Sequence, residues 1–195
     1  MMILIFLVAL ILIYVGFKLL VSLMPAKLVR NPSKKVIFIT GCDSGIGHQL
    51  ARRFHSFGFI VFAGCLDVNS EGALALKTVE DRSNKETPQT GPSNRMHTVP
   101  IDITRTESVL KAVAELEEFL KKNAALSLHC LIANAGICIA GEFDLFTWEQ
   151  VERVLNVNIN GTLRTVKLFL EPIIRQQSRI LIVGSVNGLY AYPGW

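Results

Sequence analysis

The chain is 195 residues long, a length suited to one domain, and its mean hydropathy of +0.40 with 50 % hydrophobic residues is high for a soluble protein. A net charge of +4 and a pI near 9.0 could point to nucleic acid. The basic residues are scattered, however, and several flank one apolar segment, so they argue against a nucleic-acid face and for attraction to a membrane surface. Cys42, Cys65, Cys130 and Cys138 show neither C-x-x-C spacing nor a partnering His pattern; no metal site is expected, and the thiols are expected to be reduced and mostly buried.

The apolar segment comes first. Residues 2–24 carry only Lys18 as a charge and match the roughly 20 residues a helix needs to cross a bilayer. There is no basic stretch before it and no small-x-small cleavage site after it. Residues 1–24 are therefore expected to be an uncleaved transmembrane anchor, with a cleaved signal peptide and a buried core helix as the alternatives. Lys18, Lys27, Arg30, Lys34 and Lys35 lie on its C-terminal side, which places the rest of the chain in the cytosol by the positive-inside rule, with the endoplasmic reticulum as the expected membrane. Residues 25–34, with Pro25 and Asn31-Pro32-Ser33, form a linker, and residues 35–195 form the globular domain.

That domain opens on a short, apolar, β-branched strand at 35–39, followed by Thr40-Gly41-Cys42-Asp43-Ser44-Gly45-Ile46-Gly47. Three glycines let the backbone turn sharply and approach a ligand closely, and the helix that follows aims N–H groups and a positive dipole end at the same place. A pyrophosphate is the natural occupant; an ordinary strand-ending turn is the alternative. Residues 48–57 have Leu50, Ala51, Phe54 and Phe57 at helical spacing, Gly58 ends that helix, and His48 and His55 are expected at the surface. A second strand at 59–63 leads to Gly64-Cys65-Leu66-Asp67. A helix at 71–81 and a polar loop at 82–95 follow, then a third strand at 96–100 leading to Ile101-Asp102-Ile103-Thr104. An amphipathic helix at 107–122 precedes a fourth strand at 128–133, which runs into Asn134-Ala135-Gly136. A long helix at 148–174 contains the sequon Asn160-Gly161-Thr162, and a fifth strand at 179–183 leads to Gly184-Ser185. Strands and helices thus alternate five times, which predicts an α/β fold with a doubly wound parallel sheet.

In such a sheet ligands bind at the carboxyl ends of the strands, and that is where the glycine-rich turn, Asp67, Asp102, Asn134-Ala135-Gly136 and Ser185 all fall. Together with Asn158 in Asn156-Val157-Asn158-Ile159-Asn160-Gly161, this ordered set resembles the short-chain dehydrogenase/reductase family over residues 34–195. The details look most like its retinol, 17β-hydroxysteroid and 3-hydroxybutyrate dehydrogenase branch. The resemblance implies a Rossmann-type, NAD(P)-binding oxidoreductase. It implies that Thr40, Gly41, Ser44, Gly45, Ile46 and Gly47 hold the cofactor phosphates and that Asp102, beside Ile103, binds the adenine. Asn134, Ala135 and Gly136 would line the nucleotide cleft, Ser185 would hydrogen-bond the reacting oxygen, and Asn158 would hold a water in a proton relay. Ala133 replaces the first Asn of the family's usual Asn-Asn-Ala-Gly. Asp67 would select NAD by binding the ribose 2′-hydroxyl, although Cys65 stands nearer the family's position, and NADP is the alternative.

The family's base is the Tyr of a Tyr-x-x-x-Lys pair about thirteen residues after the Ser, where a Lys lowers the Tyr pKa. Tyr190 and Tyr192 are too close to Ser185 and lack the Lys, so the resemblance implies a longer protein of which these residues are a part, and the fifth strand is expected to be an open apolar edge. The expected function is oxidation or reduction of a lipophilic alcohol or ketone, retinoid- or steroid-like, at a membrane. The alternative is a catalytically dead, membrane-tethered nucleotide-binding or dimerising module, with a homodimer formed through the 148–174 helix.

Overall fold

The structure, a computed structural model, describes residues 2–23, 29–86 and 95–190. The chain divides into two compact units, Met1–Arg30 and Asn31–Trp195. The first contains α1 (Met2–Leu23), 22 residues of helix whose described side chains, Phe6 and those from Leu10 to Leu20, are exposed on every side. Here the structure falls short of the expected membrane span: among the described residues no helix is long and apolar enough to cross a membrane.

The second unit is built on a five-stranded parallel sheet: β1 (Lys35–Thr40), β2 (Ile60–Cys65), β3 (Met96–Pro100), β4 (Ser127–Ala133) and β5 (Arg179–Ile182), in the order β3-β2-β1-β4-β5. The helices between them are α2 (Gly45–Ser56), α3 (Glu71–Glu86), α4 (Thr106–Lys122), α5 (Trp148–Leu155) and α6 (Thr162–Arg175). Helices α2 and α3 pack beside each other against β1, β2 and β3, while α4 and α6 form a second pair. Val36 and Phe38 of β1, Ile60 and Phe62 of β2, and Leu128 and Leu131 of β4 meet Val109, Leu116 and Phe169 of α4 and α6 in one core. The alternate residues Ile37, Ile39, Val61 and Ala63 are buried as well, on the opposite face. Burial on both faces explains why these strands are near-continuous apolar runs. Because β1 lies between β2 and β4, the chain reverses its direction of winding there, and the crevice between the ends of β1 and β4 is the switch point of the sheet.

Three sequence expectations are corrected. The first helix of the sheet domain begins at Gly45 rather than at residue 48, since the apolar spacing used to find it starts only after the glycines. His55 is 4 % exposed rather than at the surface, because one turn's spacing puts it on the buried face with Gly47 and Ala51. The helix at 148–174 is not uniform: α5 passes into a π-helical turn, Asn156–Gly161, before α6. Such widened turns recur at functional sites, and this one carries Asn158.

Candidate active site

The ends of β1 and β4 are bolted together by side chains. Thr40 Oγ1 accepts the N–H groups of Asn134 and Ala135, both at 3.1 Å, and Asn134 Nδ2 donates to the carbonyls of Thr40 at 2.9 Å and Gly41 at 3.1 Å. Gly41 has φ +72°, and a Cβ on it would lie 2.7 Å from Ala135 Cα; only glycine allows the turn to close on β4 in this way. A Cβ on Gly47 would lie 2.1 Å from the Gly41 carbonyl oxygen, so the first turn of α2 is drawn against the loop before it.

This placement leaves an anion site at the start of α2. Ser44 is its N-cap residue, yet the Ser44 side chain makes no capping bond, and no acidic residue occupies the first turn. The first N–H groups of the helix have no intrahelical acceptors and carry the positive end of the dipole. A Cβ built on Gly45 would meet nothing within 4 Å, so the backbone there is open to a ligand. The cradle fits the pyrophosphate of a dinucleotide.

The neighbouring strand ends add polar groups. Asp102 Oδ1 accepts from the Thr104 N–H at 2.9 Å and its hydroxyl at 2.7 Å, while the Asp102 N–H donates to Ser108 Oγ at 2.8 Å. One carboxylate oxygen thus fixes the loop, and the other is left for a donor such as an adenine amino group. Arg164 reaches across from α6 to donate to the Ile103 carbonyl at 2.7 Å. Asn158 spends both side-chain atoms on Ile137, accepting its N–H and donating to its carbonyl, each at 2.8 Å. Its side chain therefore positions the loop after β4. Ser185 is exposed, and its Oγ accepts the Asn187 N–H at 3.1 Å.

These groups border a cleft of about 1100 Å³ at the switch point. Of the residues expected to bind cofactor, Gly41, Ser44, Gly45, Ile46, Asp102, Ile103, Asn134, Ala135 and Gly136 line it. Thr40 is buried behind the turn, Gly47 is packed under it, and Asp67 is exposed with Oδ1 accepting the Asn69 N–H at 2.8 Å; none of the three lines the cleft, nor do Asn158 and Ser185. Sequence reasoning missed Asp43, Leu66, Ile137 and Trp148, which do line it. Only Asp43 had a signal, being the one charge inside the glycine-rich turn.

The three buried thiols are inert by environment. Burial, aided by the Asp43 charge, pushes Cys65 up to about 12, and burial pushes Cys130 up to about 11 and Cys42 well above its ordinary value; Cys138 is exposed. Among the described residues no cluster of His, Cys, Asp or Glu could hold a metal ion.

The family model for short chain dehydrogenases matches residues 35–195. The chain belongs to the short-chain dehydrogenase family. Within it, the chain is similar to the mitochondrial D-beta-hydroxybutyrate dehydrogenase of Mus musculus, 37 % identical over 161 residues that cover 83 % of this chain and 44 % of that one. It is 36 % identical to the 17-beta-hydroxysteroid dehydrogenase type 6 of Bos taurus, over 86 % of this chain and 48 % of the relative. It is 31 % identical to the retinol dehydrogenase 7 of Mus musculus, over 86 % and 48 %. The chain thus spans about half the length of the curated relatives it matches. The crystal structure of gox2181 superposes with a TM-score of 0.67 at 27 % identity, covering 82 % of this chain and 56 % of that one.

Proposed function

We propose that these residues form the nucleotide-binding part of an NAD(P)-dependent oxidoreductase of the hydroxybutyrate, hydroxysteroid and retinol dehydrogenase branch, acting on a lipophilic alcohol or ketone with NAD as the preferred cofactor. The observation that carries this reading is the cleft itself: it lies at the switch point and is lined by the open first turn of α2, by Asp102 and by the loop after β4. When bound, the nicotinamide supplies the acceptor or donor of hydride. The N–H groups from Gly45 onward would hold its phosphates, Asp102 would accept from the adenine, and Thr40 with Asn134 would keep the two sides of the cleft in register. Ser185 Oγ already accepts from Asn187, so its hydroxyl hydrogen is free to be donated to the reacting oxygen. Asn158 would orient the loop at Ile137. Gly194 stands four residues after Tyr190, so Tyr190 is not assigned the proton exchange.

Two further features belong to the proposal. The apolar exposed surface of α1, with Lys27, Arg30, Lys34 and Lys35 after it, supports attachment to the endoplasmic reticulum with the sheet domain facing the cytosol. Exposed Trp148, Leu155, Ile159 and Leu163 on the 148–174 segment favour the second reading, a dimerising module, in which Leu163→Glu would turn a dimer into a monomer in analytical ultracentrifugation.

Calorimetric titration of the full chain in detergent with NADH tests the main reading. One saturable site is expected, and Gly45→Ala, whose new Cβ meets no protein atom but stands at a φ of +60° that strains a side chain, should weaken binding at least tenfold with a lowered melting temperature. Absence of saturable binding, or Gly45→Ala binding as tightly as the parent, would contradict the cradle.

A further inference from the structure

Twenty residues beyond the glycine-rich turn, the conventional place for an acidic ribose-binding group is Asp67. The structure puts a different carboxylate at the end of β2. Asp43, from within the turn, accepts the Leu66 N–H on Oδ2 at 2.9 Å and the Asp67 N–H on Oδ1 at 3.0 Å, with Ser70 Oγ at 3.5 Å. Asp43 and Leu66 line the cleft; Asp67 is exposed, outside the lining, and occupied by the Asn69 N–H. The start of α3 closes on the same residue, since a Cβ on Gly72 would lie 1.8 Å from the Asp43 carbonyl oxygen. Asp43 is thus clamped from both sides, with its backbone under α3 and its side chain across to the β2 turn, and it cannot swing away from an incoming ligand without breaking its two hydrogen bonds from backbone N–H groups.

We infer that Asp43, rather than Asp67, is the residue that selects the cofactor, setting the shape of the β2 turn through the two N–H hydrogen bonds it accepts and placing a fixed negative charge where a 2′-phosphate would sit. This rests on the nucleotide-binding reading above. A dinucleotide whose pyrophosphate lies at the α2 N-terminus runs its adenosine ribose toward the end of β2, and there a free 2′-hydroxyl meets an acceptor whereas a 2′-phosphate meets repulsion. Among the described residues the one cation lining the cleft is Arg153, on α5 beside Glu149 and Glu152; Lys77, outside the lining, donates its Nζ to the Val68 carbonyl at 3.1 Å.

The test measures binding of NAD and NADP separately to the full chain in detergent, for the parent, Asp43→Asn and Asp67→Asn. The parent should prefer NAD by tenfold or more. Asp43→Asn, which keeps shape and one acceptor, should shrink that preference at least fivefold, mainly by tightening NADP, and Asp67→Asn should leave it within twofold. A purely structural role for Asp43 would weaken both nucleotides equally and so contradict the inference. So would a preference that moves with Asp67→Asn alone. If neither nucleotide binds the parent, the nucleotide reading itself has failed. Should Asp43→Asn not fold, the parent still decides: the repulsion predicts that the preference for NAD narrows as salt rises from 50 mM to 500 mM beyond what inorganic phosphate competition explains, and a salt-independent preference would overturn it.

Discussion

β2 and β5 are parallel strands of one sheet, yet every residue of β2 is buried and every residue of β5 is exposed, Leu181 at 51 % and Ile182 at 59 %. β2 has a strand on each side and sits in the part of the sheet that α2 and α3 cover. Among the described residues β5 pairs with β4 alone, and α6 packs on it. The difference carries through to the residues that follow each strand. After β2, Leu66 and Asp67 are held by Asp43, and after β4, Asn134 and Ala135 are held by Thr40. After β5, Ser185 is set by local bonds, its Oγ accepting the Asn187 N–H and its carbonyl the Gly188 N–H. The ends of β1, β2 and β4 are therefore tied to one another by side-chain bonds across the fold, and the end of β5 is not.

The largest expected effects follow from that contrast. Phe38→Ala removes a ring that packs against Phe62 and Phe169 and should cost about 4 kcal/mol in urea unfolding, while Leu181→Ser on β5 should change stability by less than about 0.5 kcal/mol. Comparable losses at the two sites would break the comparison. Gly47→Ala should cost about 3 kcal/mol by overpacking, because its Cβ would also lie 2.5 Å from Asn134 Nδ2, and a neutral result would show that the turn gives way. Asn134→Ala leaves the Thr40 and Gly41 carbonyls without their amide donor and should cost about 2 kcal/mol, with nucleotide affinity falling in the same variant.

The smallest effect is one of pH. Burial, with the nearby Arg95 charge, lowers the His55 pKa below 6.5, and burial with Arg179 and Lys35 lowers that of His129. The unfolded chain then binds more protons than the folded one once the pH drops through 6.5, so stability is full above that value and declines as the pH falls toward the folded pKa. Thermal melts should show the midpoint falling between pH 7.5 and 5.5, and His55→Leu should flatten part of that fall.

Much of this was legible in the residues themselves. The alternation of apolar strands with amphipathic helices predicted the five-strand order of elements, because burial on both faces writes itself as unbroken runs such as Val36-Ile37-Phe38-Ile39. The glycine-rich turn and Asn134 were legible because a close approach of backbone to backbone admits few residue types. Contacts made across the fold were not. Asp43 reaches residues 23 and 24 positions away, so nothing local marks it as the group that holds the β2 turn. The π-helical turn at Asn156–Gly161 left no gap in the apolar spacing, and His55 is buried by what packs on α2 rather than by its own character.

A nucleotide bound as proposed is held by the ends of β1, β2, β3 and β4 and not by the segment after β5. Hydrogen–deuterium exchange of the full chain with and without saturating NADH tests it most directly. Slowed exchange is predicted at residues 41–48, 66–67, 102–104 and 134–137, with residues 179–190 unchanged. Protection confined to 179–190, or none in the first four segments at saturation, would contradict it.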